Sequence, residues 1–134
     1  MMNVDDLYQY AEDHNIQVDD VKTGKDSLCL RFRGRECIAI DMKLLRTAAE
    51  LKRAVAHEIG HCATGSFYNV HSKFEVVTQR ERRAAVWAYK KLVTEDELHE
   101  AVRQGNTEMW QLAEYFDIPQ EYMAKIVCFY EGIE

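Results

Sequence analysis

The sequence has a single proline, Pro119, and only six glycines in 134 residues. With no low-complexity tract and no repeat, nothing marks a flexible linker, and one compact domain is the simplest division. Nor is there an apolar run near the roughly 18–20 residues that span a bilayer. The four cysteines, Cys29, Cys37, Cys62 and Cys128, include no CxxC pair, so neither a zinc ribbon nor a small disulfide framework is indicated. The acidic start Met1-Met2-Asn3-Val4-Asp5-Asp6 lacks the basic flank and apolar stretch of a signal peptide. A cytoplasmic protein with reduced thiols is expected. Cations are scarce at one end only. Residues 95–134 contain Arg103 and Lys125 against ten Asp and Glu, a balance of −8, whereas residues 1–94 carry 15 Lys and Arg against 13 acids, a balance of +2. Such an acidic end repels nucleic-acid phosphates and anionic lipid, which argues against direct nucleic-acid or membrane binding and towards a protein or small-molecule partner.

What is present is mostly helical periodicity. A short amphipathic helix is expected over residues 4–14. Strands are expected over Ser27–Phe32 and 36–41, joined around Arg33-Gly34-Arg35, with Leu28, Leu30 and Phe32 on one side. Cys29 and Cys37 flank the turn, and a three-residue loop centred on Arg33 would set them opposite each other. The period then changes: Ala48–Thr64 carries good helix formers and an apolar stripe of Leu51, Val55, Ile59 and Cys62. A connector over 65–78 precedes a second long helix over 79–93. Thr94-Glu95-Asp96-Glu97 reads as a capping box, and further helices are expected over 107–116 and 119–130. The fold class is α+β: a mainly helical core over residues 1–94 with a small hairpin before its central helix, and a helical lobe over 95–134 packed on that core.

The chemistry centres on His57-Glu58-Ile59-Gly60-His61, an HExxH motif. Residues four apart on a helix lie about 40° apart around its axis, so the two imidazoles can supply adjacent corners of a tetrahedral zinc (Zn2+) site. Glu58 lies beside them, able to act as general base towards a metal-bound water, whose pKa zinc lowers towards roughly 7. A third ligand is needed. Glu81 falls on the small apolar stripe Val77, Ala84, Ala85, Ala88 and Leu92 of the second long helix. A lone carboxylate there costs several kcal/mol unless it is paired or binds metal. His71 and Glu75, in the connector, are the rival ligands, and an ion pair with Lys52, Arg53 or Arg80 is the rival role for Glu81.

HEIGH, the connector CATGSFYNVHSKFE, and Glu81-Arg82-Arg83-Ala84-Ala85-Val86-Trp87-Ala88 together resemble the ImmA/IrrE family of metallo-endopeptidases, over roughly residues 36–118. The resemblance implies a zincin-like, gluzincin-type fold, zinc held by His57, His61 and Glu81, and Glu58 as general base. It also implies cleavage of a helix-turn-helix repressor of a phage or mobile element. Many relatives carry Asp or Asn directly after the Ala of E-x-x-A, where it can orient a ligand histidine. Here that position is Ala85, so a backbone carbonyl or a carboxylate such as Asp41 must take the other ring nitrogen.

Two other readings stand beside this one: a non-catalytic, zinc-stabilised regulator and a DNA-binding regulator. The segment from Leu112 to Ile118 and the helix after it have the rhythm of a helix-turn-helix, but that helix carries one cation, Lys125. The acidic end is better suited to docking a basic protein substrate. Arg80, Arg82, Arg83, Lys90 and Lys91 form a basic cluster that is either a solvated helix face or a positive rim to the cleft. One of the tyrosines, or His71, could stabilise an oxyanion.

Overall fold

The computed structural model describes residues 1–25, 27–69 and 71–132. Helix α1 (Val4–Asp13) starts at a capping box in which Asn3 and Asp6 satisfy each other's backbone N–H groups, and it buries Leu7 and Ala11 one turn apart. Asn15, in the left-handed region at φ 57°, turns the chain into strand β1 (Ile16–Asp20). Strands β2 (Ser27–Phe32) and β3 (Arg35–Ile40) form an antiparallel hairpin. The sheet order is β1-β3-β2, with β1 parallel to β3, so β2 is an edge strand.

The hairpin loop has two residues rather than three. Arg33 and Gly34 both take positive φ, 53° and 76°, the signature of a type I′ turn whose twist suits a hairpin. The register therefore pairs Cys37 with Leu30 and Cys29 with Ile38, and the two cysteines do not face each other. Strand β1 has no counterpart in the sequence-based expectation. Only Ile16 and Val18 carry its apolar face, and its pairing with β3 is non-local.

Helix α2 (Ala48–Thr64) is capped by the Thr47 hydroxyl and ends at Gly65 in the left-handed region. Helix α3 (Phe74–Leu92) begins five residues before the expected start. Its first residues gave no start signal: Lys73 supplies no side-chain cap, and Phe74 is 81% exposed. Helices α4 (Glu95–Arg103), α5 (Met109–Phe116) and α6 (Gln120–Glu131) complete the chain, α4 opening on the expected Thr94–Glu97 capping box.

Among the described residues a hydrophobic cluster joins the sheet to all the helices. Leu7, Ile38, Val55, Ile59 and Leu92 share it with Leu98, Leu112, Phe116, Met123 and Ile126 of the last three helices. Within it sits an unexpected cation: Lys52, 3% exposed, whose ammonium donates to the Phe116 carbonyl oxygen at 2.5 Å. That carbonyl lies at the C-terminus of α5, where the helix dipole favours positive charge. Burial nevertheless pulls the Lys52 ammonium below the ordinary lysine range, against the opposing pull of Asp117, Asp6 and Glu97.

Helices α2 and α3 cross with almost no space between them at Gly60. A β-carbon on Gly60 would lie 2.4 Å from the Ala84 carbonyl oxygen. The glycine of the HExxH motif thus allows the close backbone approach that brings Glu81, one turn before Ala84, over the two histidines.

Candidate metal centre

The expected residues converge. His57 Nε2 lies 2.8 Å from Glu81 Oε2, and His61 Nε2 lies 3.3 Å from Glu81 Oε1. One ligand atom from each of the three residues falls within 4.8 Å of the others, a spacing that could hold a metal ion. The two rings stand 81° apart with centroids at 5.1 Å, so their nitrogens approach a common point from different directions. His61 is buried, whereas the Glu81 side chain is 39% exposed, which leaves the cluster open to solvent on the α3 side. It lies in a cleft of about 380 Å³. His71 and Glu75 are exposed and fall outside the cluster.

His61 and Glu81 each have a partner outside the cluster. The His61 Nδ1–H donates to the Ser66 carbonyl oxygen at 2.6 Å, which leaves Nε2, facing Glu81, as the nitrogen free to take a metal. Of the two routes open to compensate for Ala85, a backbone carbonyl therefore serves His61. Asp41 does not: it accepts the backbone N–H groups of Thr23 and Lys43 and closes the turn after β3. The Tyr68 hydroxyl donates to Glu81 Oε1 at 2.5 Å. That bond, with burial second, pushes the phenol up to about 12, so it remains a proton donor at neutral pH.

Glu58 is 7% exposed and accepts the Ser27 hydroxyl proton at 2.6 Å. Ser27 was not legible from sequence. The alternating leucines mark the other side of β2, where Leu30 is 43% exposed, and it is Ser27 and Cys29 that face α2. The basic cluster takes the first of its two expected places, an exposed helix face away from the cleft: Arg82, Arg83 and Lys90 are all exposed. Arg82, Arg83 and Lys90 line a second groove with Trp87, and the cations lining the metal cleft are Lys25 and Arg53.

The charges in the cluster are coupled. Hydrogen bonds from His57 and His61 hold Glu81 far below the ordinary carboxylate range, outweighing burial. For His61, burial opposes the charged ring, but the bonds to Glu81 and Ser66 outweigh it and raise its pKa above the usual value. In the metal-free chain, the raised His61 stabilises the fold fully below about pH 6.5, and that contribution is lost as pH rises through its folded value. The depressed Glu81 contributes above about pH 4.5 and loses its share as pH falls. A divalent metal must displace the His61 proton. Calorimetric titration of a divalent metal at about pH 6.5, in buffers of different ionisation heat, should show proton release on binding and an affinity that falls as pH is lowered. Metal uptake with no proton release would show that the ring is already neutral.

No family model, curated protein or solved structure matches the chain.

Proposed function

We propose that the protein is a zinc-dependent endopeptidase of the ImmA/IrrE kind, with a gluzincin-like site, acting in the cytoplasm on a helix-turn-helix repressor. The observation that carries this reading is the meeting of His57, His61 and Glu81 in an open cleft beside a buried Glu58 that a strand hydroxyl holds in place. The donor set fits zinc: two imidazole nitrogens and one carboxylate, with one histidine already oriented by a carbonyl. When bound, zinc supplies a Lewis acid that polarises a carbonyl and makes water more acidic.

The chain's own residues supply the remainder. Glu58 takes a proton from the attacking water, and the Ser27 hydroxyl fixes the carboxylate that receives it. Ser27, Leu28 and Cys29 of β2 line the cleft. Among the described residues β2 pairs only with β3, so its other edge offers free backbone groups to an extended substrate segment. No helix is long and apolar enough to cross a membrane among the described residues. Glu95, Asp96, Glu108, Glu114 and Glu121 are exposed on the last three helices, where they complement a basic protein. On α6 the exposed side chains include Glu121 and Glu131 beside Lys125, a poor match to DNA phosphates.

The test is cleavage of a purified helix-turn-helix repressor by the zinc-loaded chain. Glu81→Ala is expected to lose most of its zinc and all measurable cleavage, because two imidazoles leave half the coordination sphere to water. Full zinc retention in that variant would place the metal elsewhere. Stoichiometric zinc with neither repressor nor generic peptide cut would replace the enzyme by a zinc-stabilised regulator. Reversing Glu95, Asp96 and Glu121 to lysine should slow repressor cleavage at low salt and leave a short peptide unaffected. Glu97 is unsuitable for that test, since it closes the α4 capping box and pairs with the Met1 amino group.

A further inference from the structure

Strand β2 and helix α2 run side by side, and their side chains meet in two rungs. Ser27 and Cys29 are two apart on the strand, a rise of about 6.6 Å. Glu58 and Cys62 are four apart on the helix, a rise of about 6 Å. The repeats match, so Ser27 Oγ reaches Glu58 Oε2 at 2.6 Å and Cys29 Sγ reaches Cys62 Sγ at 3.0 Å. The first rung belongs to the metal cleft. The second is thiol against thiol, and the proposed hydrolysis has no use for it. Cys29 is half-buried and lines the cleft, whereas Cys62 is buried behind it. A small reagent entering the cleft therefore meets Cys29 first. Cys37 lies across from Leu30, and Cys128 is exposed on α6.

We propose that Cys29 and Cys62 form an oxidisable dithiol, converted to a disulfide by exchange with a small-molecule disulfide such as glutathione disulfide. In the first step the Cys29 thiol, whose proton the bond to Cys62 and burial hold more tightly than in a free thiol, loses it to solvent, and the sulfur bonds one glutathione sulfur. The S–S bond of the reagent breaks, and one glutathione leaves and takes up a proton. In the second step the Cys62 sulfur bonds the Cys29 sulfur, and the second glutathione leaves in the same way. Two electrons and two protons pass from the protein to two glutathione thiols. The sulfurs must close by about 1 Å to bond. An edge strand, held by a neighbour on one side only, can supply that movement. The bond would fasten the strand that holds Glu58 to the helix residue that follows His61, across a sequence separation of 33. The inference rests on the packing of β2 against α2 and stands apart from the peptidase reading.

The full chain is equilibrated under native conditions with excess glutathione disulfide, quenched in acid, alkylated and mapped by mass spectrometry. The expected product carries one Cys29–Cys62 bond, seen as a linked peptide pair about 2 Da lighter than the two thiol peptides, with Cys37 and Cys128 in no protein disulfide and each recovered as an alkylated thiol or a glutathione adduct. Its melting temperature should rise by about 10 °C, and dithiothreitol should reverse both changes. Cys62→Ser should stop at a Cys29–glutathione adduct. Recovery of both Cys29 and Cys62 as alkylated thiols, or a protein disulfide that includes Cys37 or Cys128, would overturn the proposal. The wild-type map decides the matter even if a variant fails to fold.

Discussion

Glu58→Gln is expected to keep zinc and fold but to lose about 10²–10⁴-fold in peptide cleavage. The amide has the size and shape of the carboxylate and can still meet the Ser27 hydroxyl, which lies 2.6 Å from Glu58 in the structure. It cannot take up a proton, so positioning survives while base catalysis does not. Glu58 is no member of the His57–His61–Glu81 cluster, which is why metal content should be unchanged. Circular dichroism, zinc analysis and kcat/KM on one peptide check all three parts. Wild-type cleavage by this variant would remove Glu58 from the reaction.

Gly60→Ala should be as damaging without touching a ligand. Its β-carbon would sit 2.4 Å from the Ala84 carbonyl oxygen, backbone against backbone, so α2 and α3 must part. Overpacking of this kind costs about 1–3 kcal/mol. The larger effect falls on the metal, because Glu81 rides on α3 while both histidines ride on α2. Ligand distances tolerate only about 0.2 Å, so a separation of the helices approaching an ångström should weaken zinc binding by at least about 10–100-fold. Competition against a chromophoric chelator would measure the loss. Tight zinc binding by Gly60→Ala would mean that the helices yield elsewhere.

The site was legible where chemistry imposes spacing within one helix. His57, Glu58 and His61 share a turn of α2, and Glu81 stood out as a carboxylate on a stripe of alanines. Partners from other elements left no such mark. Ser27 is an ordinary strand serine until β2 is laid along α2, and Ser66 acts through its carbonyl, which every residue has. Boundaries followed the same logic. Thr94 announces α4 through its capping box, whereas α3 begins without a side-chain cap on an exposed phenylalanine, so nothing in the sequence marks its first five residues. Strand β1 needed knowledge of β3 before two apolar residues could be recognised as a strand.

Lys52 bears on how small a working version of this protein could be made. Its ammonium lies in the core and ends on a carbonyl of α5, more than sixty positions further along the chain. A fragment stopped at Val93 would retain every residue of the metal cluster yet leave that cation facing the exposed apolar side of α2. Such a truncation is expected to aggregate or unfold, and adding Lys52→Met should recover part of its solubility. Limited proteolysis of the intact chain should then yield no stable amino-terminal piece, since the forty residues that look like an appendage provide the acceptor for a charge in the heart of the other half.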